Sequence, residues 1–380
     1  MIKKSTLFRQ HHFFEILQSF DSSRGPIDLF ISLYFRHHPQ LGSKDRLFIV
    51  ERIYTYLRWK GLIEELLARE NATDDRLLAL LEEDLSQYCS DERLAPHTRM
   101  SFPKELYEAL YRTFGEATLA TCLACNEPAP MTLRVNTLKT TRQQLIEAFS
   151  AQGIVAREAP FPTAVFLEKR TNLFVLPEFK AGHFEVQDMG SQVVASYVQA
   201  QPGESVLDYC AGSGGKTLAI APSLNHRGQL YVHDIRTEAL IEAKKRLCRA
   251  GIQNVQIVDH SCARRLRLLR KRMDWVLVDA PCSGTGTLRR NPDMKWKFSQ
   301  EMLDRVVAEQ RQIVAEAVSY LKPSGTLVYA TCSLLKEENE EQVEFFKDYL
   351  HLHAMAPPFR STPSHGGMDG FFAVSLRKGE

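Results

Sequence analysis

The first hundred residues carry apolar side chains at the three- and four-residue spacing of amphipathic helices. The segments that show this spacing are FFEILQSF, IDLFISLYF, RLFIVERIYTYLRW and LIEELLARE, and Gly25-Pro26, Gly42-Ser43 and Gly61 separate them. The polar stretch EEDLSQYCSDERLAPHT that follows is typical of a linker. This pattern predicts a helical domain over residues 1–98.

Between residues 99 and 186 the pattern becomes mixed. PKELYEALYRTFG and TRQQLIEAFSAQG have helical spacing, whereas MTLRVNT, VFLEK and HFEVQ have the character of strands. We therefore expect a small α+β module here.

From Ser205 onward, short runs rich in β-branched residues alternate with longer helical segments, which lie at residues 236–250 and 299–321. The predicted strands are Ser205–Tyr209, Leu230–His233, Val255–Val258, Trp275–Asp279, Thr326–Ala330 and the closing FFAVSLRK. Alternation of this kind predicts an α/β fold with a doubly wound, mostly parallel sheet over residues 187–380. In such folds, ligands bind at the carboxyl ends of the strands.

Composition excludes a disordered or fibrous chain, because 44% of the residues are hydrophobic and 25% are charged. No run of apolar residues approaches the roughly 18 to 20 needed to cross a bilayer. Arg9, Gln10, His11 and His12 interrupt the place where a secretory signal would be apolar. We expect a cytoplasmic protein that binds no membrane and keeps its eight cysteines as thiols.

Positive charge is concentrated in one part of a nearly neutral chain. Residues 260–300 hold ten Lys/Arg and three Asp, a local charge of +7, which leaves −5 for the remainder of a chain whose net charge is +2. A patch of this kind favours a polyanionic partner. A solvated helix face is the alternative.

A glycine-rich turn, AGSGGKT, follows the first predicted strand. It is not a phosphate-binding P-loop, because the required first glycine is Cys210, and it lacks the third glycine of the dinucleotide fingerprint, because that position is Thr217. Asp234 ends the next strand, 22 residues after Gly212, where a carboxylate can accept hydrogen bonds from ribose hydroxyls. S-adenosylmethionine (SAM) fits this arrangement. The alternative is a tight turn with Asp234 capping a helix.

Two cysteines follow the fourth and fifth strands. DAPCS contains Asp279 and Cys282, and TCS contains Cys332. If these strands are neighbours, their ends lie roughly 5 Å apart. Cytosine C5 becomes nucleophilic enough to take a methyl group when a thiolate adds to C6, and a carboxylate can hydrogen-bond the N3/N4 edge of the base. Alternatively, either cysteine is a small buried residue of the core.

The motifs DAPCSGTG, LRRNPDMKW, TLVYATCS with KEEN, VLDYCAGSGGKT, VQDMGSQ and TLRVNT together resemble the Nop/Sun family of RNA cytosine-5 methyltransferases, in its bacterial Sun/RsmB branch. The resemblance extends from about residue 100 to DGFF. The N-terminal helices resemble a shortened form of that branch's NusB-like RNA-binding domain.

The resemblance implies that Cys332 is the nucleophile and that Cys282 assists product release. It also implies contacts with SAM from Cys210, Ala211, Gly212, Ser213, Gly214, Gly215, Lys216, Asp234, Asp259 and Asp279. Two departures stand out: Gly212-Ser213 replaces the alanine-proline of most relatives, and a gapless match would put His260 in place of Asp259.

The same resemblance suggests that Arg289, Arg290 and Lys295 contact RNA phosphate. Arg134 and Asn136 either face the substrate or have a structural role in a turn. We expect a monomeric enzyme that methylates cytosine in 16S ribosomal RNA. A tRNA cytosine-5 methyltransferase and a non-catalytic RNA-binding assembly factor are the alternatives.

No metal is expected. Cys122 and Cys125 share one helical face, but no second pair of cysteines completes a four-ligand zinc site. His11-His12 and His37-His38 lie on predicted helices without evident metal-ligand partners. Trp275 and Trp296 are expected in the core or at its rim, with base stacking by Trp296 as the alternative.

Overall fold

The computed structural model describes residues 4–20, 25–169, 171–259 and 263–378. The chain divides into two compact units. The first comprises residues 1–128 and 287–302, and the second comprises residues 129–286 and 303–380. The three predicted domains, 1–98, 99–186 and 187–380, remain a prediction, since these units divide the middle segment between them. No helix among the described residues is both long and apolar enough to cross a membrane.

The first unit is helical. Its helices are α1 (Lys4–Ser19), α2 (Ile27–His37), α3 (Ser43–Glu70), α4 (Asp74–Leu80), α5 (Pro96–Arg99), α6 (Lys104–Phe114) and α7 (Thr118–Asn126). The predicted apolar stripes meet in one core that includes Phe13, Ile31, Ile53 and Leu77. Trp296 packs against this core, and its indole N–H donates to the Leu57 carbonyl at 2.8 Å. The core position expected for Trp296 is confirmed.

The second unit begins with a small antiparallel sheet in the order β2-β3-β1-β4. Its elements are β1 (Met131–Val135), α8 (Arg142–Ala151), β2 (Ala156–Glu158), β3 (Ala164–Leu167), α9 (Pro177–Lys180) and β4 (Phe184–Val186). Helix α8 begins where the sequence predicts, because Thr141 and Gln144 cap each other.

A larger sheet forms the rest of the second unit. Its strands are β5 (Ser205–Asp208), β6 (Gln229–Asp234), β7 (Val255–Asp259), β8 (Met273–Asp279), β9 (Leu321–Thr331), β10 (Leu352–Ala354), β11 (Phe359–Ser361) and β12 (Phe371–Lys378). The order is β10-β12-β9-β8-β5-β6-β7, with β11 paired to β12. Strands β5 to β9 are parallel, whereas β12 is antiparallel to β9. The predicted doubly wound, mostly parallel sheet is confirmed.

Helices cover both faces of the large sheet. They are α10 (Met189–Ser196), α11 (Gly215–Ile220), α12 (Thr237–Ala250), α13 (Ala263–Arg267), α14 (Gln300–Ala317) and α15 (Glu340–Leu350). Successive strand residues point to opposite faces, so Val206 packs with α12 residues such as Leu247, while Leu207 shares a core with Val314 and Phe346. This layering leaves the carboxyl ends of β5 to β9 for the candidate site.

Candidate active site

The turn between β5 and α11 requires glycine. Gly212 and Gly214 have left-handed backbones, with φ of +53° and +77°, and the Gly214 N–H closes the turn on the Ala211 carbonyl at 2.8 Å. A Cβ atom at Gly214 would lie 3.2 Å from the Ala243 side chain of α12. The predicted turn over Cys210–Lys216 therefore packs its backbone closely against α12.

Asp234 faces this turn from the end of β6. Its carboxylate accepts hydrogen bonds from the Gly212 N–H at 2.7 Å and from the Arg236 Nε–H at 3.0 Å. Burial opposes ionisation, but the hydrogen bonds from Arg236 and Gly212 together lower the pKa of Asp234 below its usual value. Arg236 is 66% exposed and can move away from this carboxylate when a ligand binds.

Asp259 is the last residue of β7 and lies opposite Asp234 in the parallel register. The Thr237 hydroxyl donates to its carboxylate at 3.3 Å. The structure thus places Asp259 beside Asp234, the ribose-binding candidate. His260, the alternative, lies outside the described residues.

Asp208 is a site residue that the sequence analysis missed. It ends β5 and is buried, and its Oδ2 accepts a hydrogen bond from the Thr217 hydroxyl at 2.6 Å. Its Oδ1 is buried with no hydrogen-bond partner among the described residues. Burial raises the pKa of Asp208 to about 7. The sequence could have identified Asp208 by its position at the end of the strand, directly before the turn.

Lys216 and Asp279 form a partly buried ion pair at the end of β8, with Nζ 2.6 Å from Oδ2. Burial lowers the pKa of Lys216, but the charge of Asp279 and its hydrogen bond outweigh burial and raise this pKa overall. Lys216 therefore stays charged, and through Asp279 it connects the cofactor turn to the loop that carries Cys282.

Cys282 and Cys332 lie side by side, with their Sγ atoms 3.3 Å apart. They meet because β8 and β9 are parallel neighbours in which Asp279 pairs with Ala330, as the sequence predicts. The hydrogen bond with Cys332, with burial as the next cause, raises the pKa of Cys282 well above its usual value. Cys282 is therefore the thiol that keeps its proton.

A buried carboxylate, that of Glu338, joins the two cysteine loops. It accepts hydrogen bonds from the Ser283 N–H at 2.8 Å and from the hydroxyls of Ser283 and Ser333, the residues that follow the two cysteines. Gln310 of α14 donates to it at 3.0 Å. Glu338 lies in the KEEN motif, but the sequence pattern does not reveal this contact.

Glycine is also required where these loops cross. The Gly286 N–H donates to the Cys332 carbonyl at 2.8 Å, and a Cβ atom at Gly286 would lie 2.8 Å from the same oxygen. Any larger residue would push the two loops apart.

Two of the predicted RNA contacts are buried in the second unit. Asn136 donates to the carbonyls of Gly182 and Ala250, both at 2.9 Å, so it has the structural role that the sequence left open. Arg134 is buried and its Nε–H donates to Gln187 at 2.6 Å. Burial lowers the pKa of Arg134 to about 10. Neither side chain presents its polar group to RNA.

The predicted phosphate contacts in the LRRNPDMKW segment also need correction. Lys295 is fully buried in the first unit, where its ammonium donates to the carbonyls of Arg58 and Ser101 and to Asn126 at 2.6 to 2.9 Å. Arg289 is buried as well, whereas Arg290 is half-buried. Because its three hydrogens already have acceptors, Lys295 is structural.

The cysteines and histidines considered as metal ligands differ in their surroundings. Cys122 and Cys125 are buried on α7. His12 of α1 and His38, the residue that follows α2, approach each other and Glu15, a contact that the sequence did not predict. The Tyr34 hydroxyl lies between two of them, 2.6 Å from His12 Nδ1 and 2.5 Å from Glu15. Hydrogen bonds thus account for this cluster.

The sheet order, the glycine turn after β5 and the acidic residues at the ends of β6, β7 and β8 define a class I SAM-dependent methyltransferase. Residues 195–377 match the family model described as 16S rRNA methyltransferase RsmB/F, and residues 102–173 match the ferredoxin-like domain model of RsmF/B-like methyltransferases. The chain belongs to the RsmB/F family.

Relatives and solved structures support this assignment. The chain is 32% identical to the ribosomal RNA small subunit methyltransferase B of Proteus mirabilis, over 84% of this chain and 73% of the relative. It is 31% identical to a probable methyltransferase B of Synechocystis, over 78% and 71%. A methyltransferase homologue from Pyrococcus horikoshii has a TM-score of 0.66 and 26% identity, covering 75% of this chain and 100% of that one.

The residues present fit SAM. A Cβ atom at Gly215 would meet only the Gln187 amide nitrogen, at 3.9 Å, so the turn has room beside it for a ligand. Asp234 and Asp259 can accept hydrogen bonds from the hydroxyl and amino groups of an adenosine. The Oδ1 of Asp208, which has no hydrogen-bond partner in the part of the chain that the structure describes, is a further buried polar atom next to the turn.

Proposed function

We propose that this methyltransferase modifies C5 of a cytosine in 16S ribosomal RNA through a covalent bond between Cys332 and C6. The observation that carries the proposal is the pair of thiols, 3.3 Å apart at the ends of β8 and β9, beside the Lys216–Asp279 ion pair. A purely structural role would not require two thiols next to a charged Lys–Asp pair.

The two thiols have different roles in this proposal. Cys282 keeps its proton and can donate it to Cys332 in a hydrogen bond that stabilises the Cys332 thiolate, and the nearby Lys216 ammonium adds to this stabilisation. The thiolate adds to C6, which moves an electron pair towards C5. SAM, when bound, supplies an electrophilic methyl group to C5.

Release reverses the addition. Once C5 carries a methyl group and a proton, loss of that proton to water re-forms the C5–C6 double bond, and the Cys332–C6 bond breaks with its electron pair on the sulfur, which restores the Cys332 thiolate. Cys282 is the side chain placed to assist release of the sulfur. Asp279, held by Lys216, supports the reaction by accepting a hydrogen bond from the edge of the base.

An RNA substrate agrees with the remaining exposed charge. Six basic residues, which we call the basic strip, are all exposed: Arg264, Arg265, Arg267, Arg270, Lys271 and Arg272. Exposed arginines of this density are typical of phosphate contacts. The family and the names of the relatives favour small-subunit ribosomal RNA over the other RNA classes.

Transfer of labelled methyl groups from SAM to separate unmodified 16S rRNA, 23S rRNA and tRNA transcripts tests the proposal, with Cys332→Ala as the control. We expect label in 16S rRNA, on cytosine C5, and none with the variant. Label only in tRNA would favour the tRNA enzyme. Binding of SAM without transfer to any transcript or to assembling ribosomal particles would favour a non-catalytic assembly factor.

A further inference from the structure

Arg246 of α12 connects the cofactor turn to the small sheet of the second unit. Its Nη1 donates to both the carbonyl and the hydroxyl of Ser213, at 2.9 and 2.7 Å. Its Nε and Nη2 donate to one oxygen of Glu185, at 3.2 and 3.0 Å. One guanidinium thus holds two elements that are 28 residues apart in sequence.

Glu185 is a fixed anchor for this arginine. It lies on β4, where it pairs with Arg134 of β1, and its side chain is only 6% exposed. Its second oxygen accepts a hydrogen bond from Arg249, one helical turn after Arg246. A buried carboxylate between two guanidinium groups has little freedom to move, so it orients Arg246.

The cofactor turn needs such an anchor because glycines surround Ser213. Gly212, Gly214 and Gly215 leave its backbone with more conformational freedom than other residues would. A second contact comes from Gln187, the residue that follows β4. Its amide accepts a hydrogen bond from Arg134 and donates one to the Gly215 carbonyl at 3.2 Å. The turn is therefore held at two carbonyls, and Arg246 provides the charged contact.

We propose that Arg246 is a positioning residue that holds the Cys210–Lys216 turn in the conformation that binds SAM. The inference rests on the proposed function only in that SAM is the ligand of this turn. Arg246 approaches Ser213 and does not take part in the chemistry. Losing it should therefore weaken SAM binding and leave the methyl-transfer step intact.

Arg246→Met keeps the length of the side chain and removes both sets of hydrogen bonds. We expect the KM for SAM to rise about tenfold, equivalent to about 1.4 kcal/mol, with kcat at saturating SAM within about twofold of wild type. Arg249→Met is the matched control, because it loses a bond to the same Glu185 but has no bond to Ser213. It should raise the KM for SAM far less than Arg246→Met does.

Calorimetric titration with SAM alone separates this inference from the choice of RNA substrate. Arg246→Met should weaken SAM binding even if no RNA is methylated, in which case the positioning role stands and the proposed function fails. Ser213→Ala keeps the carbonyl contact with Arg246 and loses the hydroxyl contact, so it should weaken SAM binding by a smaller factor. This variant tests the inference if Arg246→Met does not fold. Ethylguanidinium should restore part of the SAM affinity of Arg246→Ala. Unchanged SAM affinity in a folded Arg246→Met or in Ser213→Ala, or an equal loss in Arg249→Met, would overturn the inference.

Discussion

The sulfur atoms of Cys282 and Cys332 lie 3.3 Å apart although 50 residues separate them in sequence. The parallel pairing of β8 with β9 brings the two strand ends together, and Glu338 then fixes the loops by bonding to Ser283 and Ser333. The spacing of the two thiols therefore depends on a side chain that lies outside both the DAPCS and the TCS segments.

Glu338→Ala should lower both stability and activity. The change leaves the Ser283 N–H and two hydroxyls buried without their acceptor, so we expect the free energy of unfolding to fall by about 3 kcal/mol. Methyl transfer should fall at least tenfold even where the protein is fully folded, because the cysteine loops separate. Denaturant titration and the methylation assay measure the two effects.

The control for this substitution is Glu344→Ala, an exposed carboxylate on α15, the helix that follows Glu338. It should change stability by less than about 0.5 kcal/mol. If Glu338→Ala unfolded at the same denaturant concentration as this control, the anchoring role of Glu338 would be wrong.

Asp208 should make stability depend on pH. Its pKa is about 7 in the folded protein and 3.8 as its ordinary value, so between these values the folded state holds a proton that the unfolded state has lost. Stability therefore falls as pH rises through this window, by at most about 4 kcal/mol from this residue. Asp208→Asn should remove that part of the fall.

Denaturant titrations at pH 5 and pH 7.5 measure this difference. The wild type should lose more stability than Asp208→Asn between the two pH values, and Asp348→Asn, an exposed control on α15, should follow the wild type. Parallel curves for wild type and Asp208→Asn would show that the buried carboxyl does not hold its proton.

Much of the fold follows from the sequence because strand and helix periods are local properties. The five parallel strands lie within a few residues of their predicted ends, except that β9 begins at Leu321 rather than Thr326. Asp234 and the two cysteines were predicted from their places at strand ends. Strand ends are informative because a parallel sheet gathers them at one edge.

Contacts between segments distant in sequence were not predictable in this way. Lys295 looks like a phosphate ligand because it lies among arginines, yet Arg58, Ser101 and Asn126 enclose it. For the same reason the sequence did not reveal the contacts of Arg246, whose hydrogen-bond partners lie 33 and 61 residues away. Local charge shows which residues are basic, but burial decides which of them remain free for RNA.

Lys295→Met should therefore act on stability and leave RNA binding unchanged. We expect the free energy of unfolding to fall by roughly 2 to 4 kcal/mol, because three buried acceptors lose their donor. The affinity of the folded variant for a 16S rRNA transcript, and its dependence on salt, should match the wild type. A weaker affinity with a shallower salt dependence would show instead that Lys295 contacts RNA phosphate.

The basic strip should contribute to RNA binding instead. Removing two of its charges, in Arg264→Gln/Arg267→Gln, should weaken binding of the 16S rRNA transcript about tenfold at low salt. The slope of log affinity against log salt should become shallower by about 1.5. The control Lys244→Gln/Lys245→Gln removes two exposed charges from α12 and should leave both quantities near wild type. Equal effects of the two double variants would mean that RNA binding depends only on net charge.

The covalent role of Cys332 is tested most directly on a denaturing gel with Cys282→Ala, SAM and labelled 16S rRNA transcript. Because Cys282 assists release, this variant should accumulate a protein–RNA adduct that survives denaturation. The adduct should disappear in the double variant Cys282→Ala/Cys332→Ala. An adduct that persists without Cys332, or full methyl transfer by Cys332→Ala, would contradict the account.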